Sequence, residues 1–448
     1  MNTLKAGFSR VEINPPMGID IAGYFIERHA ERILDNLYTC ALALSVADGT
    51  TAVMITLDSL YVQLNGCDVI RDYLSERFSL PRNAFFIGSS HSHTAPTFQH
   101  NHEKELIRDY FSNTMLKIGD AVAFALADMK PAKMGYGIGT APRISFGRRY
   151  RMKDGSARTN PGVLNPDIVE SIGEVDESVS VVRFDREGAD DIVLINFGTH
   201  PDTVGGNVIS ADWPGFVRTT MEAAVGNVKC LVFNGAEGDV NHVNVMPRGG
   251  ERNGLTRDFD DVDRGYSHAK HMGNVIAGAA LQVYEKLVYS DVDKISYSEK
   301  VAKLPANTPS PDEIPLALEY QKLYEEGRTD EIPFTGMGLT TALANARRIL
   351  KLKDGPEFFE VPLSGLAIGR VAFIGIPGEP FTAIGMQLKE SRGDFDMVIP
   401  CALTNGARGY FPGDDSFAEG GYETSNSNYR SGVQKNMVDT GKDLLKML

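Results

Sequence analysis

Apolar residues along this chain fall into two rhythms. Short continuous or alternating runs bounded by Gly, Pro, Asn and Asp read as strands, and longer stretches with apolar positions every three or four residues read as helices. Residues 5–13 form a first strand, closed by Asn14-Pro15-Pro16-Met17-Gly18. Residues 40–60 give two strands joined at Asp48-Gly49, a hairpin signal, with the second ending at Asp58. A helix over 65–79 leads to a strand over 83–90. A long helix over 103–128 places Leu106, Tyr110, Phe111, Met115, Ile118 and Ala121 at helical spacing and stops before Lys130-Pro131. A strand at 133–141 precedes a polar, basic loop at 144–162. Strands follow at 178–185, 191–198 and 228–234, with a helix starting near Pro214. Residues 245–265 read as polar and irregular. Then come a helix at 268–288, a strand at 294–303, and a Pro-rich linker at 304–315. Helices at 313–327 and 339–352 precede an apolar hairpin at 360–380 that runs into Gly378-Glu379. A last strand starts at Met397, and a helix at 429–447 closes the pattern.

Strands that alternate with helices, interrupted by hairpins, predict an α/β fold of mixed β-sheets flanked by helices, with two packed sheets. The 448 residues are read as one large domain, 1–448. A net charge of -14 without any run of Lys or Arg argues against nucleic acid as a partner. No stretch of eighteen apolar residues exists, so no membrane span is expected. The N-terminal residues carry no apolar core of a signal peptide. Cys40, Cys67, Cys230 and Cys401 form no Cys-x-x-Cys pair, and all but Cys67 lie in apolar strand-like runs. They read as small buried residues in a reducing compartment, which makes the expected location cytoplasmic. Nothing in the pattern specifies an oligomeric state.

The candidate chemistry sits where strands end. Gly88 to Thr97 reads GSSHSHTAPT, just past the strand at 83–90. If that backbone stays extended, His91 and His93 point to one side. His200 follows the strand at 191–198, and Glu379 follows the second strand of the 360–380 hairpin. Two imidazoles and a carboxylate at strand ends fit a catalytic zinc with positions left for water and substrate. Each also has a plainer reading: the His-x-His as exposed loop residues, His200 as a turn histidine, and Glu379 as a first-turn helix residue. Asp58 and Asp212 read either as carboxylates orienting ligand histidines or as turn and helix caps. His100, His102, His242, His268 and His271 read as surface or turn residues, with His242 kept as a pocket candidate. Arg149 and Arg151 read as anion binders or as a solvated loop face.

SHSHTAP, THP with ISADWPG, NGAEGDVN, GIPGEPFT, and TNGARGYFP with GGYE occur here in the order found in neutral (non-lysosomal) ceramidases. The chain resembles the N-terminal catalytic domain of that family, from about residue 6 to 424; residues 245–290 and 305–350 carry none of these motifs. The resemblance implies one zinc per chain on His91, His200, Glu379 and Tyr410, with His93 beside it. It further implies an oxyanion-side arginine at Arg148, with Arg149 as the alternative, and a second tyrosine at Tyr422. The family serine of GDVS is replaced by Asn241, which can donate and accept hydrogen bonds but cannot be acylated. The family's immunoglobulin-like C-terminal domain has no counterpart up to Leu448. The expected function is therefore zinc-dependent hydrolysis of the amide (N-acyl) bond, or less readily the ester bond, of a small substrate by metal-activated water. Ceramide itself is not the expected substrate. In that scheme His93 shuttles a proton, and Tyr422 and Arg148 stabilise the oxyanion. Two rivals stand beside it: a TIM-barrel amidohydrolase, which also opens with His-x-His, and a non-catalytic ligand-binding protein on the same scaffold.

Overall fold

The computed structural model describes residues 3–247 and 262–448. Most of the stretch expected to be irregular, 245–265, lies outside the described residues. Among the described residues, a nine-stranded sheet runs in the order Val228–Asn234, Asp191–Phe197, Ser178–Arg186, Lys130–Thr140, Lys5–Glu12, Tyr38–Ser45, Thr51–Leu57, Phe85–Ser89, with Val288–Ser290 paired to Lys130–Thr140. A four-stranded sheet follows the order Ile295–Pro305, Phe358–Ile368, Val371–Gly375, Met397–Cys401. Most pairs are antiparallel. Within these two sheets three are parallel: Asp191–Phe197 with Val228–Asn234, Thr51–Leu57 with Phe85–Ser89, and Val371–Gly375 with Met397–Cys401.

Alternation along the strands builds the layers. In Tyr38–Ser45, Leu42 and Leu44 face the four-stranded sheet and share a core with Leu366, Phe373 and Ile399, while Ala41 and Ala43 turn to the helices Leu64–Phe78 and Glu105–Ala127. The helices Asp212–Val225 and Val262–Tyr284 cover the rest of that outer face, over Val181, Val193 and Val232. The far side of the small sheet is covered by Thr382–Glu390 and Val433–Leu445 through Leu388, Val433 and Met437. The result is a helix–sheet–sheet–helix sandwich, not an eightfold barrel. The expected mixed α/β class with two packed sheets is what the chain adopts.

Two local expectations change. In Glu105–Ala127 the buried position of the first turn is Ile107, and Leu106 is 41% exposed. Either leucine-type residue satisfies the helical period; packing against the sheet selects the phase. The basic loop at 144–162 instead forms strands. Arg149–Met152 pairs with Ala157–Thr159 on one side and Ile168–Ile172 on the other. Tyr150 and Met152 pack on Val243 and Val245 from a distant turn, a contact no local pattern announces.

The topology decides where the chemistry meets. The strands Phe85–Ser89 and Val228–Asn234, at opposite ends of the large sheet's order, curl towards each other, with the Asn234 side chain donating to the Ser90 carbonyl. The end of the small sheet's parallel pair closes the same gap. Ala402 N–H donates to the Asn234 carbonyl, and Asn405 exchanges hydrogen bonds with the backbone of Ile87. The C-terminal ends of all three parallel pairs thus converge on one point.

Candidate metal centre

His91 follows Phe85–Ser89 directly, but its backbone is not extended. Its φ of 72° lies in the left-handed region, which histidine visits more readily than most side chains. The premise of an extended His-x-His is therefore replaced by a tight turn that still brings the His91 and His93 ring centroids to 4.8 Å. His91 Nδ1 lies 2.9 Å from the Leu60 carbonyl, and His200 Nδ1 lies 2.8 Å from the Glu237 carbonyl. A carbonyl only accepts, so each Nδ1 carries the proton and each Nε2 is turned inward; burial works against a charge on His91, but Glu237 and Glu379 outweigh it and raise its pKa to about 9, so a bound metal would have to displace the proton on His91 Nε2. Glu379 reaches the same point from the small sheet. Its Oε2 is 3.5 Å from His91 Nε2 and 3.3 Å from His200 Nε2. All three residues are buried.

Neither His200 Nε2 nor Glu379 Oε2 makes a hydrogen bond, although both are shielded from solvent. Buried polar atoms left without partners are uncommon and costly. Two such donor atoms aimed at one point, with His91 Nε2 beside them and each histidine anchored through its other nitrogen, is the pattern of a metal site with its supporting carbonyls. The buried His91, His93 and His200 also hold ligand atoms within 4.8 Å of one another, a group that could hold a metal ion. Among these groups, Glu379 is held well below the usual carboxylate range: burial opposes its charge, but His91 and His200 outweigh burial.

His93 differs from the other two. Its Nε2 is 3.4 Å from His91 Nε2, while its Nδ1 is buried without a partner. Burial and the adjacent His91 push its pKa well below the imidazole range, so it is neutral. The ring is held by shape. A strap at 22–28 passes over it: Gly23 lies so close that a Cβ there would sit 2.7 Å from His93 Nδ1. Tyr24 packs at 5.6 Å between ring centroids, and Arg28 donates to the His93 carbonyl at 2.7 Å.

Tyr410, Tyr422 and Arg148 form a run of ring contacts that starts at His200. Glu379 and Tyr410 are register partners in a short parallel bridge, which places the Tyr410 ring stacked at 6.3 Å on His200. Tyr422 packs edge-on against Tyr410 at 5.8 Å. The Arg148 guanidinium lies 5.5 Å from the Tyr410 ring centroid. Asn241 is fully buried, and its Nδ2 lacks a partner while Oδ1 accepts from Val243 N–H.

The arginines correct the picture of a solvated loop. Arg148 and Arg149 are both buried. Arg148 donates from Nε to Glu423 Oε1 at 2.7 Å, and Arg149 donates to Glu419 and to the Gly420 carbonyl. Arg151, at the edge, also pairs with Glu419. Asp58 supports no histidine: both its oxygens take the buried Arg218, at 2.8 and 2.6 Å. Asp212 caps backbone, accepting N–H from Thr203, Val204 and Trp213. His242 is buried against Asp202 at 3.1 Å, and His268 is buried too, so neither is a surface residue.

Two acids escaped sequence reasoning. Glu423 is fully buried and anchors both Arg148 and Thr159. Glu237 is buried beside Glu379, takes the Asn234 amide, and leaves Oε1 unpaired. Burial, with Glu379 adding to it, pushes its pKa well above the carboxylate range, while His91 works the other way. Both lie within motifs already quoted, NGAEGDVN and GGYE; the signal was an acidic residue inside a stretch too apolar or glycine-rich to leave it solvated.

No family model matches this sequence, and no curated protein matches it. Two of the solved structures that share its fold are ceramidases. One is the neutral ceramidase of Pseudomonas aeruginosa, at a TM-score of 0.72 and 15% identity, covering 100% of this chain and 75% of that one. The other is a ceramidase complexed with C2, at a TM-score of 0.72 and 15% identity, covering 100% and 76%. The fold is neutral-ceramidase-like over the whole chain. Among the described residues, no helix is long and apolar enough to cross a membrane.

Proposed function

We propose that this protein is a cytoplasmic, single-domain, zinc-dependent hydrolase that cleaves the amide bond of a small N-acyl substrate. The observation that carries the reading is the convergence of two backbone-anchored histidines and one carboxylate on a point where His200 Nε2 and Glu379 Oε2 are buried without a hydrogen-bond partner. His91, His200 and Glu379 would hold the ion, with Tyr410, the register partner of Glu379, as a fourth ligand. When bound, zinc supplies Lewis-acid polarisation of a carbonyl and makes water acidic enough to attack near neutral pH.

The remaining groups are this chain's own contribution. His93 is neutral and has no carbonyl fixing its Nδ1, so it can take a proton from the attacking water and give it to the leaving amine. Arg148, locked by Glu423 and the Gly238 carbonyl, and Tyr422 face the position where negative charge develops on the substrate oxygen. Asn241 keeps an unspent amide donor where the related fold family has a serine, so no acyl-enzyme step is available to it. The likeness to the two ceramidase structures supports the hydrolase class; the amide, rather than ester, preference follows from the proton that His93 can deliver to a poor leaving group.

The test is metal content beside turnover. The wild type should hold about one zinc per chain, His91→Ala and Glu379→Ala should lose it, and His93→Gln should keep it while turnover of N-acyl amides falls by roughly two to four orders of magnitude. A wild type without metal after zinc is supplied would sink the mechanism. Loss of zinc in His93→Gln would instead make His93 a third histidine ligand, a reading the close grouping of His91, His93 and His200 also permits.

A further inference from the structure

No carbonyl holds the His93 ring, so its place depends on the strap that passes over it. The strap's own backbone fixes only its stem. Asp20 bridges His29 there, and Ile21 N–H donates to the Arg28 carbonyl at 2.9 Å. One limb is tied to the chain just after His93, with Ile21 bridging Pro96 and Ala22 N–H donating to the Ala95 carbonyl. Residues 23–27, which include the two that crowd His93, form neither strand nor helix. A loop of this kind takes its shape from what packs on it, and opens readily when nothing does.

What packs on it is the pair of helices Ile314–Glu325 and Gly336–Leu352. Leu323, Ile332 and Leu343 form a small buried cluster between them, and Phe25 from the tip of the strap packs against that cluster. Leu339, Leu343 and Arg347 are spaced by four and share one face of the second helix. The Arg347 guanidinium lies 4.6 Å from the Phe25 ring centroid and 4.7 Å from that of Tyr324. The Tyr324 hydroxyl donates to the Phe25 carbonyl at 2.6 Å. Both the ring and the backbone of Phe25 are thus gripped, one residue from Tyr24 and two from Gly23. The second helix is itself anchored: the buried Arg348 donates to the carbonyls of Asn307 at 2.7 Å and Ser425 at 3.1 Å. Ser425 belongs to the short helix Tyr422–Asn426. The helical pair therefore spans from the element that carries Tyr422 to the strap over His93. It lies in the segment without family motifs, so the resemblance supplies no role for it.

We infer that this helical pair is a clamp that fixes the strap over His93, and that Phe25 and Tyr324 are positioning residues for that histidine. Each acts through Tyr24 and Gly23 and not on the reacting atoms. The dependence is specific to one ring of the three. His91 and His200 are each held through Nδ1 by a backbone carbonyl, so loosening the strap releases His93 and leaves the other two in place. What His93 does with a proton rests on the hydrolase reading; how it is held does not, and is measured without turnover.

The test compares the zinc-supplied full chain with Tyr324→Phe, Phe25→Ala and Phe25→Leu. Hydrogen exchange by mass spectrometry follows the peptide over 19–30. Its amides should exchange about threefold to tenfold faster in Tyr324→Phe, which deletes one hydrogen bond, and at least about tenfold faster in Phe25→Ala, which empties the clamp. Phe25→Leu refills the apolar site and should return to within about threefold of the wild type. Ring nitrogen spectra of histidine-labelled protein give the second readout, with the His93 signals assigned by their loss in His93→Gln. Those signals should shift or broaden in Tyr324→Phe and Phe25→Ala while those of His91 and His200 stay in place. Tyr324→Phe decides the matter alone where Phe25→Ala fails to fold. Unchanged exchange and unchanged His93 signals would overturn the clamp, as would His91 and His200 signals that move together with His93. In an active enzyme kcat should fall at least about fivefold in Phe25→Ala, with KM and zinc content unchanged and Phe25→Leu restoring the rate; an unchanged kcat would overturn the positioning role. If exchange and His93 signals respond as stated but the wild type turns over no N-acyl amide, the clamp stands and the hydrolase reading fails.

Discussion

Replacing Glu423 by Gln changes one charge and almost no shape. The carboxylate accepts from Arg148 Nε at 2.7 Å and from Thr159 Oγ1 at 2.9 Å, and Arg149 Nε lies 3.9 Å away. Glutamine keeps an oxygen for Arg148 and turns its amide towards a hydroxyl that can accept, so both hydrogen bonds have a route to survive. What is lost is the countercharge of a guanidinium that is itself 4% exposed. Arg148 cannot escape by deprotonation: burial works against its charge, but Tyr410 and Glu423 outweigh it and raise its pKa further. Leaving a buried cation unpaired costs about 3–5 kcal/mol. With an unfolding entropy of about 2.1 cal/mol/K per residue over 448 residues, that corresponds to a fall in Tm of roughly 3–5 °C. The assay is differential scanning calorimetry of the wild type, Glu423→Gln, and Glu423→Gln/Arg148→Met, with zinc content measured on each. The double variant removes the stranded charge and should recover most of the lost stability, yet turnover should stay about 10²–10³ below wild type, because the oxyanion donor is gone. A Tm shift below about 1 °C in Glu423→Gln, or a double variant less stable than the single, would refute the view that Glu423 exists to neutralise Arg148.

Gly23→Ala would place a methyl 2.7 Å from His93 Nδ1 on a backbone whose φ is 108°, so the ring must move; kcat should drop at least tenfold with zinc content unchanged, and unchanged kcat would show that the strap does not position His93. Asp58→Asn breaks the buried pair with Arg218 and should cost about 3–5 kcal/mol in denaturant unfolding. It should leave zinc content untouched; loss of zinc would return Asp58 to the metal's supporting shell.

Local rhythm carried most of the fold. Strand and helix positions followed from apolar spacing because each element buries one face or both, and that requirement is written into neighbouring residues. The misreadings share one cause. Leu106 and Ile107 satisfy the same period, and only the facing sheet chose between them. The strands at 149–152 and 157–159 carry arginines that look solvated, and their partners Val243 and Val245 lie some ninety positions away. Neither choice has a local energy large enough to appear in a short window of sequence.

For the candidate site, the chain by itself determined the chemical types and their setting: imidazoles and a carboxylate immediately after apolar strands, where side chains leave the sheet and reach open space. It could not determine which strand ends meet. That was decided by the curl of the large sheet and the closure of the small one over it, which bring His91, His200 and Glu379 from three parallel pairs to one point. Tertiary structure likewise set the left-handed turn at His91 and separated the anchored His91 and His200 from the unanchored His93. It also converted Glu237 and Glu423 from ordinary acidic residues into a buried acid with a raised pKa and a buried counterion. Protonation and pairing depend on desolvation and on the charges across a gap, and both are properties of the folded chain that no stretch of residues contains alone.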